Sequence, residues 1–187
     1  MKITIIESVL PGLLISFLAV LFGTGAGMAF GLAEDEIKAY LHTTALAHQD
    51  IHGTGVDAAT QSSKKAWRYI QRAHFHAQGL GALGISIILA LALTRASRKT
   101  KTFLSLSIGI GAFLYPLCWF IAGLKIPVIG KSAAKASVDW LAGISIPLFF
   151  GGMCIVLIIL FLSWLTAMSE KAALDSARRR SSLGPES

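Results

Sequence analysis

Five histidines are the side chains of this sequence best suited to bind a metal ion or haem. His48 and His52 are four residues apart, so in a helix both imidazoles lie on one face, the spacing by which one helix supplies two metal ligands. His42 precedes them, about 120° from His48 around the helix axis. His74 and His76 follow at the start of an apolar run. Because imidazole-rich sites suit copper, zinc or iron, the pattern predicts a metal or haem site.

His74 is the first predicted ligand. No formally charged residue occurs from position 73 to position 94, so His74 and His76 fall in the first turn of a predicted membrane span. Ionisable groups at that depth are uncommon and often functional. At 100° per residue, His74 shares a face with Gln78 and Gly81, beside small residues that let another helix approach. His76 points about 200° away, towards lipid or a partner subunit. The alternative is that both rings are interfacial and wetted by headgroup water.

A three-nitrogen site forms if the segment between the first two spans folds over the mouth of the bundle. His48 and His52 would then meet His74. Further candidate ligands or cofactor contacts are His42, His76, Gln78 and Met28. Haem would take its opposite axial ligand from the outer segment or from Met28, since the other predicted spans contain no histidine. The alternative is a polar loop of solvated histidines.

Composition places the chain in a membrane. It is 54% hydrophobic and 14% charged, outside the range of soluble domains of 187 residues. A net charge of +7 would suggest nucleic acid for a soluble protein, but here basic residues gather at the ends of apolar runs. Topology and anionic lipid explain them there, so no nucleic-acid partner is predicted. The absence of a GxSxG motif, a P-loop or a carboxylate pair within a span gives no support to an enzyme active site.

Four uncharged runs are long enough to span a bilayer, which needs about 20 apolar residues. They cover residues 9–33, 73–94, 102–124 and 140–168. The predicted fold is an all-α integral membrane four-helix bundle over residues 1–170. An extramembrane helical segment, residues 34–72, lies between helices 1 and 2, and a disordered tail covers residues 171–187. The first run also has the composition of a signal peptide, which is the alternative for that segment.

Basic residues predict the orientation. The connection RASRKTK after the second run and the arginines of the tail mark the cytoplasmic side. Both termini are then cytoplasmic and the histidine-rich segment lies outside. In a bacterial inner membrane that side is the periplasm.

Small residues predict how the helices pack. Gly23, Gly27 and Gly31 recur every four residues, the pattern that lets two helix backbones approach in lipid. Other glycines expected at helix contacts are Gly81, Gly109 and Gly111. The same surfaces could admit a flat cofactor or a quinone. Pro116 and Pro147 predict bends in the third and fourth spans. Cys118 and Cys154 are expected to pack as small hydrophobes, with a disulfide as the alternative.

Two functions from different classes follow. The first is a small membrane subunit with a histidine-lined haem, copper or iron site at its outer surface, an accessory redox subunit that assists electron transfer to a quinone or a partner protein. The alternative is a cofactor-free structural or assembly subunit that packs in a larger membrane complex or homo-oligomer. Visible absorbance and metal content of the purified protein separate the two.

Overall fold

The chain folds as a bundle of four long helices. The computed structural model describes residues 6–53 and 55–182. In chain order the helices of this part are α1 (Leu10–Ala47), α2 (Gln49–His52), α3 (Val56–Ala92), α4 (Arg98–Ile129), α5 (Lys131–Ala136), α6 (Asp139–Ile146), a π-helix (Pro147–Gly151) and α7 (Gly152–Ser182). Spans 1, 2 and 3 are α1, α3 and α4, and span 4 runs from α6 into α7. All four are long and apolar enough to cross a membrane, so the predicted all-α fold is confirmed.

Spans 1 and 2 extend well beyond the apolar runs that predicted them. α1 has 38 residues and α3 has 37. At about 1.5 Å per residue each is roughly 56 Å long, nearly twice the ~30 Å of a hydrocarbon core. Residues 34–72, here called the cap, are therefore mostly continuations of these two helices, with α2 and a short turn between them. Residues 34–52 contain no glycine or proline, so nothing in the backbone ends α1 where its apolar run ends.

α1 changes direction where it enters the cap. Ala33 has φ −141° and ψ 33°, outside the helical region, although the helix continues on both sides. The break falls between the apolar run and the acidic residues 34–36. In span 4 the predicted irregularity at Pro147 is a π-helix that begins there. α4 instead remains helical through Pro116 and also through Pro127.

The core consists of two clusters, one towards each end of the bundle, and α4 contributes to both. The cluster at the cap end contains Leu41, Ala66, Trp67, Tyr69, Ile70, Cys118, Ala122, Ile126, Ala134, Val138 and Leu141. The cluster at the other end contains Val9, Leu13, Ile88, Leu91, Ala92, Leu104, Ile108, Ala112, Phe149 and Val156. α4 packs against α1, α3, α5 and α6, which makes it the central helix.

Glycine allows α1 and α4 to meet backbone to backbone. A Cβ atom added at Gly109 would lie 2.5 Å from the carbonyl oxygen of Gly12, and one at Gly12 would overlap the backbone of Ser105. Such close approach is how helices associate in lipid, where tails offer no hydrophobic drive. The two spans therefore cross at a point where no larger residue fits.

Span 4 continues past the predicted start of the tail. α7 runs to Ser182, whereas disorder was predicted from residue 171 onwards. The stretch from 171 to 182 is rich in alanine and charged residues that favour helix, and it has no glycine or proline. Both cysteines are free; Cys118 is buried and Cys154 is partly buried.

Candidate functional site

Two histidines at the far end of the cap each bond to the last turn of a helix. His48 Nδ1 lies 2.8 Å from the carbonyl oxygen of Thr44, and His52 Nε2 lies 2.7 Å from that of Pro127. Both acceptors belong to the last four residues of their helices, α1 and α4 respectively, where carbonyl oxygens lack an intrahelical partner. Histidine is favoured at such positions because it donates a hydrogen bond to the free carbonyl. Each ring therefore caps a helix C-terminus.

His42 connects the two long helices of the cap. Its Nε2 lies 3.3 Å from the hydroxyl of Thr60, and that hydroxyl donates to the carbonyl oxygen of Val56 at 2.8 Å. The hydroxyl therefore accepts from the imidazole. Beside this pair is an open cleft of about 570 Å³, and the ammonium of Lys38 lies 5.5 Å from the ring centroid of Trp67 in its wall.

His74 joins span 1 to span 2 inside the apolar part of the bundle. Its Nδ1 lies 2.7 Å from the carbonyl oxygen of Gly23 on α1. Because a carbonyl only accepts, Nδ1 carries a proton and donates this hydrogen bond. The ring also contacts Phe30, with centroids 5.5 Å apart, and Phe75, with centroids 5.1 Å apart. His74 thus faces α1, as its shared face with Gln78 and Gly81 indicated.

The side chain of His74 lies over Gly27 because that residue has no Cβ. A Cβ atom there would lie 2.5 Å from Cε1 and 3.1 Å from Nδ1 of the imidazole. A side chain at position 27 would therefore displace the ring from Gly23. Gly23 and Gly27 are one helix turn apart. The carbonyl of Gly23 accepts the hydrogen bond from His74, and Gly27 leaves room for the imidazole.

His76 is partly buried against α4, a neighbour that the sequence-based expectation of a face towards lipid or a partner subunit did not include. Its ring lies 5.2 Å from the ring of Tyr115 and 6.1 Å from that of Trp119, both on α4. The expectation assumed that only one side of α3 is covered. α3 packs against α1 on one side and α4 on the other, so the face opposite His74 also meets a helix.

The remaining predicted site residues are dispersed. A Cβ atom at Gly23 would meet Gln78, one at Gly81 would meet Val20, and both lie between α1 and α3. A Cβ atom at Gly111 would meet Phe149 of the π-helix. Gly31 faces open space and Met28 is 63% exposed on the outside of α1. Gln78 and five of the six glycines are thus helix contacts here.

The structure gives each of the five imidazoles a separate environment. His48 and His52 cap different helices in the cap, and His74 bonds to span 1. Among the described residues, 6–53 and 55–182, no group of three His, Cys, Asp or Glu side chains could hold one metal ion. The three-nitrogen arrangement is not brought together here, and the metal or haem site stays a prediction.

An apolar groove of about 620 Å³ lies where α1 bends; His74 does not line it. Its lining comes from both sides of Ala33 and from α3 and α4. The residues are Phe22, Gly25, Ala26, Ala29, Phe30, Glu36, Ile37, Tyr40, Ile70, Phe120 and Leu124. Small residues of α1 form part of this lining, and Phe22 and Phe120 meet edge to face with centroids 5.3 Å apart. Phe30, which contacts His74, also lines the groove. Glu36 and Tyr40 are the polar groups of the lining.

An aromatic cluster on α3 and α4 was not predicted as a site. Tyr69 and Trp119 meet with ring centroids 5.0 Å apart, and the guanidinium of Arg72 lies over both rings. The helical spacing of Tyr115 and Trp119, four residues apart, is the signal that could have indicated a shared face.

Basic residues at the other end of the bundle are engaged by the fold. Lys101 is buried, and its ammonium donates to the carbonyl oxygens of Ala92 and Thr94, each at 2.8 Å, at the end of α3. Arg95 makes a bidentate ion pair with Glu170, with distances of 2.6 and 3.0 Å. These hydrogen bonds and the charge of the carboxylate raise the pKa of Arg95 above its ordinary value. The pair joins the connection after span 2 to α7.

The candidate sites of this chain are thus a histidine between spans 1 and 2, the groove at the bend of α1, and an aromatic cluster between spans 2 and 3. The polar cleft of the cap lies beyond them. Comparison of the chain with protein-family models, with curated proteins and with solved structures found no match.

Proposed function

We propose that this chain is a structural or assembly subunit of a membrane complex, which acts by packing against other subunits and needs no cofactor. The main observation behind the proposal is that the imidazoles make hydrogen bonds to the protein itself. His48 and His52 cap helices, His42 joins the helices of the cap, and His74 joins spans 1 and 2. Four of the five histidines therefore have a role in holding helices in place.

A side of span 4 offers a surface for a neighbouring helix. Gly143, Pro147 and Gly151 are four residues apart, and a Cβ atom added at either glycine would meet no other atom within 4 Å. Gly143 and Pro147 are exposed and Gly151 is partly so. Small residues at this spacing let a second transmembrane helix come close. The helix of another subunit, or of a second copy of this chain, is the partner that this surface fits.

Bulky substitutions on that surface test the proposal. Gly151→Leu and Gly143→Leu should leave the isolated chain folded, since both positions face open space. They should shift the complex extracted from native membranes in mild detergent to a smaller size, as measured by size-exclusion chromatography with light scattering. Gly31→Leu is the matched control, because it also faces open space but lies on α1, outside the lining of the groove. Equal complex sizes for all three variants and the wild type would contradict this interface.

A second candidate function is the quinone-linked redox subunit, and the groove at the bend of α1 favours it. The groove is apolar and is lined by three phenylalanines together with Glu36 and Tyr40, a combination that suits a ring with an apolar tail. Nδ1 of His74 bonds to a carbonyl, which is how ligating histidines are usually oriented. Nε2 is then the ring nitrogen left for a metal ion.

One preparation of the protein distinguishes the two candidate functions. Protein purified from native membranes is examined for visible absorbance, metal content and bound quinone. A colourless, metal-free, folded sample supports the assembly subunit. For the redox subunit, Ala29→Phe should fill the groove and remove bound quinone, while Gly143→Phe on span 4 should not. His74→Ala should remove absorbance or metal if the histidine is a ligand.

We also propose the orientation. The connection between spans 2 and 3 and the end of α7 carry Arg95, Arg98, Lys99, Lys101, Lys171, Arg178 and Arg179. We take these two compact clusters to mark the cytoplasmic side, with the cap on the periplasmic side of a bacterial inner membrane; the cap end also carries eight Lys and Arg residues, which are spread along a longer stretch of chain. Burial of Lys101 and pairing of Arg95 remove two of these charges from the exposed set, but the others remain at the same end.

A further inference from the structure

Arg72 occupies a defined position on an aromatic surface. Its guanidinium carbon lies 5.2 Å from the ring centroid of Trp119 and 5.6 Å from that of Tyr69. Tyr69 is 9% exposed and packs in the core at the cap end, so the surface is fixed. Tyr115 extends it on α4, with its centroid 6.2 Å from that of Trp119. Cation–π contacts of this kind hold a guanidinium without using its hydrogen-bond donors.

The donors of Arg72 are not used within the described part of the chain. No hydrogen bond or ion pair there involves its side chain, although Arg68 one turn earlier donates from Nε to the carbonyl oxygen of Lys64. An arginine stays charged at every pH at which proteins fold, so five N–H groups are presented together. A ligand that accepts hydrogen bonds therefore suits this side chain.

A second unsatisfied donor lies in the same cluster. Nε1 of Trp119 is buried and has no hydrogen-bond partner in the part of the chain that the structure describes. A buried donor without a partner costs about 1 to 3 kcal/mol. Because Nε1 is enclosed by the protein, a ligand at Arg72 meets the ring face of Trp119 and not this nitrogen.

The position of the cluster relative to the apolar run indicates which ligand is available to it. Arg72 is the last charged residue before the uncharged stretch 73–94, so it lies where the hydrocarbon meets the headgroups. Tryptophan and tyrosine are also typical of this depth. The acceptor-rich group found there is the phosphodiester of a phospholipid, and phosphate is the group that a planar guanidinium binds best.

We propose that Arg72, Trp119 and Tyr69 form a binding site for the phosphate of one anionic phospholipid, in the leaflet next to the cap. Arg72 binds the phosphate oxygens, and the rings of Trp119 and Tyr69 hold the guanidinium in place. The acyl chains lie along the apolar part of α3 and α4 below the cluster. This site is independent of the assembly and quinone proposals, because it uses none of their residues.

Native mass spectrometry of the full chain in detergent, with phosphatidylglycerol added, tests the site. The wild type should retain one phosphatidylglycerol more strongly than phosphatidylcholine. Arg72→Gln should lower the retained fraction about tenfold, the loss expected for one charge-assisted contact. Trp119→Phe should give a smaller loss, since phenylalanine keeps an aromatic face under the guanidinium but a weaker one. Arg72→Lys should retain less than the wild type, since lysine lacks the planar fork.

Arg68→Gln is the matched control, with the same charge change on the same helix, and should retain the lipid. Circular dichroism and elution volume verify that each variant is folded. Equal losses for Arg68→Gln and Arg72→Gln would show a general charge effect and overturn the site. No loss with Arg72→Gln would overturn it as well. Displacement of the lipid by millimolar inorganic phosphate would assign the cluster to a free anion and overturn the lipid proposal.

Discussion

At the scale of single residues, the hydrogen bond from His74 to Gly23 holds span 1 against span 2. The acceptor lies 51 residues away along the chain and inside the apolar part of the bundle. Gly23 lies within α1, so its carbonyl oxygen also accepts the helical bond from Gly27, and the imidazole adds a second bond that water does not replace in lipid. The stability of the bundle should therefore depend on this imidazole whether or not it binds a cofactor.

We expect His74→Ala to destabilise the protein by about 1 to 3 kcal/mol, since it removes the hydrogen bond between spans 1 and 2 and leaves a gap over Gly27. Thermal unfolding in detergent, followed by circular dichroism, measures the change. His48→Ala is the control, because that ring bonds to its own helix in the solvent-exposed cap, where water can take its place. A midpoint for His74→Ala as high as that of His48→Ala would contradict the role assigned to the ring.

A double substitution tests the contact between Gly27 and the imidazole. Gly27→Ala alone should lower the unfolding midpoint, since its Cβ would lie 2.5 Å from Cε1 of His74. In a His74→Ala background the same substitution should be close to neutral, because the ring that it would meet is gone. Additive losses in the double variant would show that the two residues act independently.

The sequence predicted the face of His74 but not its partner. Helical periodicity alone gives the direction of a side chain, so the grouping of His74 with Gln78 and Gly81 could be derived. The register of α1 against α3, which brings Gly23 to the ring, depends on packing between distant segments. The same limit explains His76, whose neighbours Tyr115 and Trp119 come from span 3.

At the scale of helices, uncharged runs located all four spans but not their ends. The apolar run of span 1 ends near residue 33, while α1 continues to Ala47. A run of uncharged residues reports what lies in lipid, whereas a helix continues until its backbone is interrupted. α1 ends at Ala47, and Gly53 and Gly55, with φ of 93° and 121°, separate α2 from α3 within the cap.

The far part of α7 is the helical segment with the least support from the rest of the fold. All of its described side chains from residue 164 to residue 179 are exposed, and the pair between Arg95 and Glu170 links it to the preceding spans. We expect Glu170→Gln to increase cleavage by trypsin after the basic residues of α7, measured by timed digestion and mass spectrometry. Glu34→Gln, which removes the exposed pair with Lys38 in the cap, should leave those cleavage rates unchanged. Unaltered cleavage with Glu170→Gln would contradict the anchoring role.

At the scale of the whole molecule, the orientation can be tested with two single cysteines. Cys118→Ala and Cys154→Ala remove the native thiols. Gln61→Cys then places an exposed thiol in the cap and Lys99→Cys places one at the other end. A maleimide that cannot cross membranes should label Gln61→Cys in intact cells and Lys99→Cys after lysis, because the basic end is expected to stay in the cytoplasm. The reverse pattern would place the cap inside the cell.

The long helices also have a mechanical consequence. Spans 1 and 2 enter the cap without a flexible linker, and within the cap they are joined through His42 and Thr60. A force that displaces the cap should therefore act on both transmembrane helices. The non-helical backbone at Ala33 allows α1 to yield, while α3 has no such joint. We therefore expect a movement of the cap to tilt the membrane-spanning part of α3, whereas α1 can bend at Ala33.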